Sequence, residues 1–158
     1  MSVEQSGNIT RGHLAKWISS GVIGDAGVQV AGQRVLGFLQ NADFNSTNDQ
    51  PIVVQSAISV FQLTGLIITN ATIPLTTAAG GFYNNVSKSG NALVSAAQSY
   101  AALTNPNLLL NATLTAFALA ARFSAANLIA NQIFLSLTTP QGAAANADVY
   151  AIGIDLTI

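Results

Sequence analysis

Few residues in this sequence could take part in acid, base or metal chemistry, and they lie far apart. His13 is the only histidine, and there is no cysteine. A metal site generally needs three or four converging ligands, and here only scattered carboxylates remain to supply them. The sequence therefore predicts no metal site, no cofactor and no cysteine nucleophile.

Asp148 and Asp155 are the only pair of carboxylates that invites comparison with a glycosidase, in which two acidic side chains flank the scissile bond. They lie on one predicted strand, an odd number of residues apart, so their side chains are expected on opposite faces. We favour a turn-shaping role for Asp148 and a solvated strand end for Asp155. The sequence predicts a protein that is not an enzyme and has no catalytic residues.

Two groups of apolar residues are candidates for binding. Phe82, Tyr83 and Tyr100 could stack on sugar rings, although aromatic residues of a half-buried sheet more often belong to the core. A second group lies near the N-terminus, in segments too short to bury them locally. We predict that this group docks onto a partner subunit, with packing against the rest of the same chain as the alternative; its members are Leu14, Trp17, Ile18, Val22 and Ile23.

The composition indicates packing against neighbouring molecules. Apolar residues make up 50% of the 158 residues and charged residues 7%, whereas charged residues usually account for roughly 25% of a soluble domain. A surface with so few charges resists close association only weakly. The net charge of -1 argues against nucleic acid as a partner. Polar residues interrupt the apolar stretches 52–75 and 108–137, which argues against membrane insertion.

The position of the ionisable residues predicts two parts. Most of them lie in residues 1–49, and long neutral tracts follow. Residues 45–51 collect turn-forming residues and end in Pro51, so we interpret this segment as a linker. The sequence predicts an extended N-terminal attachment arm over residues 1–49 and a folded domain over residues 50–158.

Short segments rich in β-branched and aromatic residues alternate with turn clusters in the second part, as at residues 52–54, 66–69, 82–83, 108–114, 133–137 and 149–156. This pattern predicts a mainly β fold, an antiparallel jelly-roll-like β-sandwich. Residues 91–103 and 116–129 are rich in alanine, and each could instead form a short helix.

Residues 6–17 (SGNITRGHLAKW) and 21–27 (GVIGDAG) resemble a segment near the start of tailed-bacteriophage virion proteins. Residues 70–83 (NATIPLTTAAGGFY) and 135–150 (LSLTTPQGAAANADVY) resemble the β-sandwich module of such proteins. The resemblance implies a non-enzymatic virion structural protein, made in the host cytoplasm, that decorates or projects from the capsid as a decoration protein, head fibre or tail fibre.

The resemblance also implies the partners. We expect a homo-oligomer, with a trimer as one option, attached by the arm to the major capsid protein or to another virion subunit. The alternative function is a tail-fibre or spike tip that binds a host surface glycan through exposed aromatic residues and polar loops.

Overall fold

Two compact units make up the chain, Met1–Gly32 and Gln33–Thr157. The computed structural model describes residues 4–5, 13–19, 22–29 and 32–157, with side chains described over residues 32–157. The division between the units falls at Gly32, before the linker that the sequence predicts at residues 45–51. Residues 33–49 therefore belong to the larger unit.

The smaller unit contributes a three-stranded sheet from its described residues. Its strands are β1 (Glu4–Gln5), β2 (His13–Ser19) and β3 (Val22–Gln29), in the order β1-β3-β2. Strands β2 and β3 are antiparallel and β1 and β3 are parallel. Glycines and serines punctuate this part of the sequence, and such residues favour turns between short strands.

The larger unit contains, within residues 32–157, one nine-stranded sheet, here called the large sheet. All its pairings are antiparallel, and its order is β10-β6-β12-β4-β5-β11-β7-β8, with β9 also paired to β6. The strands are β4 (Gln33–Asp43), β5 (Gln50–Val54), β6 (Val60–Thr69), β7 (Ala79–Tyr83), β8 (Ala92–Val94), β9 (Leu109–Asn111), β10 (Phe123–Ser124), β11 (Gln132–Thr139) and β12 (Asn146–Asp155).

The large sheet curls into a half-barrel, and the segment after β9 links its two ends. The amide of Ala112 donates a hydrogen bond to the carbonyl of Leu66 in β6, and the amide of Thr115 donates one to the carbonyl of Leu93 in β8. Helix α1 (Ala116–Ala120) follows at once, and the Thr115 side chain caps it by accepting a hydrogen bond from the Ala118 amide. This arrangement satisfies backbone groups that would otherwise be orphaned at the helix start.

The core lies on the inner face of the curl, and period-two alternation along the strands fills it. In β12, Ala147, Val149 and Ala151 are buried, while the residues between them are partly exposed. The largest fully buried side chains come from strands and connections along most of the larger unit. They are Tyr100, Phe44, Phe61, Phe82, Phe123, Leu36, Ile52, Ile58, Leu63, Leu66, Ile68 and Leu75.

The predicted mainly β class is confirmed, since strands account for 47% of the structure and helices for 6%. The two Ala-rich segments differ in structure. Residues 116–120 form α1, and a 3-10 helix lies at Ile129–Asn131. Residues 91–103 form no helix; they contain β8 and a series of turns. Leu93 and Val94 are drawn into the core there, because tertiary burial outweighs the weak helical preference of alanine.

Strand β4 corrects the predicted boundary of the arm at residue 49. It pairs with β12 along most of its length and with β5 at Gly37 and Phe38. Gly37 permits the close approach to β5, because a Cβ added there would overlap the carbonyl oxygen of Val53. The linker-like residues after β4 form the connection of a β4–β5 hairpin, in which Asp43 accepts a hydrogen bond from the Asn45 amide.

Candidate interaction surface

A row of apolar residues crosses the outer face of the large sheet, the face turned away from the core. Cross-strand partners lie on the same face of a sheet, and the pairings run from Val53 to Phe38, from Phe38 to Tyr150 and from Tyr150 to Ile67. Gln132 and Asn111 continue the row at its two ends. We call Val53, Phe38, Tyr150 and Ile67 the outer row.

The outer row is open to solvent at Phe38 and Val53 and partly exposed at Tyr150 and Ile67. Phe38 is 54% exposed and Val53 is 55% exposed, whereas their neighbours Gly37 and Val54 are buried. The rings of Phe38 and Tyr150 stack, with centroids 6.0 Å apart and planes inclined at 18°. The register that places Phe38 opposite Tyr150 and Val53 keeps its side chain on the outer face.

A second, shorter apolar row runs beside the first. Val35 pairs with Ile152, and Ile152 pairs with Gly65. Val35 is 38% exposed, and Ile152 is partly exposed. We call the two rows together the outer apolar face; its six side chains are Val35, Phe38, Val53, Ile67, Tyr150 and Ile152. An exposed apolar patch rimmed by polar residues is typical of a surface that meets another molecule.

One side of the rim is built around Asp148. Its carboxylate accepts a hydrogen bond from the Asn41 amide at 2.9 Å and another from the Asn70 side chain at 2.8 Å. Both asparagines have positive φ, 53° and 56°, a conformation that asparagine tolerates better than most residues. Asp148 therefore ties together the ends of β4, β6 and β12, which agrees with the turn-shaping role preferred from the sequence.

The opposite side of the rim consists of amide and hydroxyl side chains. The Gln33 amide donates to the Thr64 hydroxyl at 3.0 Å, and the Gln62 amide donates to the Leu119 carbonyl at 2.9 Å. A shallow pocket of about 330 Å3 opens beside Thr64. Its lining mixes polar and apolar groups, and comprises Thr64, Asn111, Ala112, Thr113, Leu114 and Leu119.

A polar cluster around Asp49 lies apart from the outer apolar face. The Asp49 carboxylate accepts a hydrogen bond from the Ser136 hydroxyl at 2.6 Å and another from the Ser87 amide. Ser136 is fully buried, so a substrate cannot reach its oxygen. Ser87 and Lys88 both have positive φ, and the hydrogen bond from Ser87 holds this turn against the β4–β5 connection. We assign the cluster a structural role, because its hydrogen bonds connect separate segments of the larger unit.

The residues predicted to dock onto a partner lie on the strands of the smaller unit. Leu14, Trp17 and Ile18 belong to β2, and Val22 and Ile23 belong to β3. The Cα atoms of Trp17 and Ile23 are register partners. Their side chains lie outside the described part of the structure, so their docking role stays a prediction.

The three aromatic residues predicted as glycan contacts are core residues. Phe82 and Tyr100 are 0% exposed and Tyr83 is 5% exposed, so a sugar in solution cannot stack on their faces. The Tyr100 ring packs edge-on against Phe44 with centroids 5.0 Å apart, and its hydroxyl donates to the Gly80 carbonyl at 2.9 Å. The glycan-contact assignment is corrected accordingly. The alternative, a place in the core, is the one observed.

Burial of Tyr100 gives the fold a pH dependence on the alkaline side. Desolvation by burial, and then the charge of nearby Tyr83, raise the pKa of the Tyr100 phenol above its ordinary value of 10.0; burial also raises the pKa of Tyr83. The folded state thus disfavours phenolate relative to the unfolded chain. The stabilisation is complete below pH 10 and is lost as the pH rises above that value.

We expect Tyr100→Phe to reduce this alkaline loss of stability. At pH 7 the substitution should cost about 1 kcal/mol, because the hydrogen bond to Gly80 is lost. Urea unfolding of the wild type and the variant between pH 7 and pH 11 measures both effects. Tyr150→Phe, on the outer row, is the matched control; a decline of equal steepness in Tyr100→Phe and the wild type would contradict the assignment to Tyr100.

Sequence patterns do carry a signal for the outer apolar face. A strand with one solvated face alternates apolar and polar residues, whereas a strand covered on both faces reads as a continuous apolar run. Residues 149–152 and residues 66–68 are such runs. The signal was visible in the sequence, but only the register shows that these strands share an outer face.

In the part of the chain that the structure describes, no cluster of three or more His, Cys, Asp or Glu side chains is suited to holding a metal ion. Nor do the described residues include a helix with the length and apolar character needed to cross a membrane. Comparisons of the chain with models of protein families, with curated proteins and with solved structures found no match.

Proposed function

We propose that this chain is a non-enzymatic structural protein that is built into a larger assembly. The observation that carries the proposal is the outer row, in which apolar side chains line up across the sheet and Phe38 and Val53 are each more than half exposed. A free monomer gains nothing from this arrangement. A subunit whose sheet is covered by a neighbour buries the same residues.

The energetic gain from such contact is moderate for each copy and large when it is repeated. Fully burying a Val or Phe side chain contributes about 1.5–3 kcal/mol, so covering the exposed half of Phe38 and of Val53 contributes on the order of 1 kcal/mol each. The low charge of the chain, five basic and six acidic residues in 158, adds little repulsion. Symmetric assemblies multiply such contacts over many copies.

The assembly we propose is a virus particle, with the smaller unit as the attachment element. Support comes from the resemblance of residues 6–17 and 21–27 to the start of tailed-bacteriophage virion proteins, and from the compact division of the chain at Gly32. On this proposal the partners are other copies and a capsid or other virion subunit. The jelly-roll-like sandwich is part of the same proposal and would require a second layer over the large sheet.

Deleting residues 1–30 tests the attachment role. We expect the shortened protein to keep its large sheet, because β4 to β12 are all retained, and to lose incorporation into particles. Particles purified from cells that make the virus with either form of the protein are compared by quantitative mass spectrometry. Circular dichroism of the purified deletion protein is the control for folding. Undiminished occupancy of the particle by a folded deletion protein would contradict the proposal.

Glycan binding is the second candidate function, and one observation favours it. Phe38, which is 54% exposed, stacks on the partly exposed Tyr150, on the face that also carries the pocket lined by Thr64 and Asn111. Sugar rings stack on aromatic faces while neighbouring polar groups hydrogen-bond to their hydroxyls. Saturable binding to a glycan array that is lost in Tyr150→Ala would favour this candidate over a purely structural role.

A further inference from the structure

We propose that the outer apolar face is covered by the same face of a second copy of this chain, related by a two-fold axis. This inference rests on the proposed structural function and names the partner of its interaction surface. The candidate partner is a molecule that presents apolar groups, brings no charge to the centre and matches a rim of amides. A second copy meets all three requirements.

The strand sequences indicate a covering layer of protein. Tyr150, Ile152 and Ile154 occupy the outward positions of β12, where a solvated strand would carry polar residues. The inward positions Val149 and Ala151 are buried in the core of the same chain. From Val149 to Ile154, β12 is thus apolar on both faces, which is typical of a sheet that packs between two layers.

Charge favours a second copy over a charged partner. None of the six side chains of the outer apolar face carries a formal charge at neutral pH, and the nearest rim carboxylate, Asp148, is held by Asn41 and Asn70. When two copies are related by a two-fold axis, a residue faces the same residue of the other copy only if it lies near that axis. Asp148 lies one outward row, about 6.8 Å, from Tyr150, so a two-fold axis near Tyr150 would place the two Asp148 carboxylates about 14 Å apart. This distance exceeds the Debye length of about 8 Å at physiological ionic strength, so their mutual repulsion is largely screened.

The rim is chemically complementary to itself. Asn41, Asn70, Gln33 and Gln62 carry side-chain amides, each with donor and acceptor atoms. Two identical rims can therefore exchange hydrogen bonds without a partner of the opposite charge. A carboxylate-rich or lysine-rich rim would instead require a different molecule.

The size of the face sets the expected strength of the dimer. The outer apolar face and its rim together cover six strands, spaced about 4.8 Å apart, and four outward rows, spaced about 6.8 Å apart. They span at most about 24 by 20 Å, or about 500 Å2. A stable interface typically buries about 800 Å2 on each partner. We therefore expect a dimer that dissociates on dilution, and whose contacts become permanent only when other contacts of the assembly hold the copies together.

Opposite charges at Phe38 test the two-fold arrangement. The outer row, extended by Gln132 and Asn111 at its two ends, has its centre between Phe38 and Tyr150. The two copies of Phe38 are therefore expected within about one strand spacing, 5 Å, of the axis. Phe38→Lys and Phe38→Asp should each weaken dimerisation of the full chain at least tenfold, because like charges meet. An equimolar mixture of the two variants should recover dimers, because opposite charges then meet.

Sedimentation velocity over a hundredfold range of concentration, at physiological ionic strength, measures the dimer fraction. Val86→Lys is the matched control: Val86 is 41% exposed and lies in the β7–β8 connection, and this variant should dimerise like the wild type. Circular dichroism checks that every variant is folded. Wild-type monomers at all concentrations, equal weakening by Val86→Lys, or failure of the mixture to recover dimers would each overturn the inference.

Incorporation of the same variants into particles separates this inference from the proposed function. If wild-type protein is monomeric throughout but deletion of residues 1–30 still abolishes incorporation, the second copy is the wrong partner and the structural function stands. If dimers form as expected but incorporation never depends on residues 1–30, the dimer is supported and the virion role is overturned.

Discussion

A chain shortened to residues 33–158 is expected to fold, whereas one shortened to residues 50–158 is expected to remain unfolded. The longer piece keeps β4, which lies between β12 and β5 in the large sheet. The shorter piece loses this strand and the core side chains Leu36, Ala42 and Phe44. Strands β12 and β5, which flank β4, would then expose unpaired backbone groups, and the core would expose apolar surface. Circular dichroism and urea unfolding of the two purified pieces measure the difference.

The full chain is the reference for this comparison. Residues 33–158 should unfold in one cooperative transition with a midpoint close to that of the large unit in the full chain. A cooperative transition from residues 50–158 would show that β4 is peripheral, and would restore the arm of residues 1–49 that the sequence predicts.

Turn chemistry alone could not place the boundary between the two units. The sequence favours a linker at residues 45–51 because they are rich in Asn, Ser, Thr and Asp and end in Pro51. The same residue types connect the two strands of a hairpin, and the structure shows that use: Gln50 bonds to the backbone of Asp43 through both atoms of its amide. A linker and a hairpin connection differ in whether the flanking segments pair, which depends on partners far along the chain.

Local patterns were sufficient for most of the strands. Residues 52–54, 66–69, 82–83, 133–137 and 149–156 were predicted from β-branched and aromatic residues, and each overlaps an observed strand. The order of the strands was beyond such patterns. Strand β12 lies between β4 and β6, and each of these pairings joins residues at least 79 positions apart in sequence, which is the separation of Asp148 and Thr69.

Local sequence patterns were equally unable to show which aromatic side chains lie on the candidate surface. The sequence points to Phe82, Tyr83 and Tyr100 as possible glycan contacts, but all three are buried. Phe38 and Tyr150, which the sequence analysis does not single out, are the aromatic residues of the outer row. A shift of one residue in strand register moves a side chain from one face to the other. Register follows from long-range pairing and from bulges, such as the shift between Ala151 and Ile152 in the pairing of β12 with β4.

Replacing Phe44 by alanine is expected to lower the free energy of unfolding by about 3–5 kcal/mol, the range found when a buried Phe is truncated. Phe44 is 0% exposed and packs edge-on against Tyr100, so truncation leaves a cavity beside a ring that is fixed by its own hydrogen bond to Gly80. The matched control is Phe38→Ala, the same chemical change at a residue that is 54% exposed. Urea unfolding at low protein concentration, where monomers dominate, should show less than half the loss for Phe38→Ala. Equal losses would mean that Phe44 does not belong to the core, and that the end of β4 is as open to solvent as the outer row.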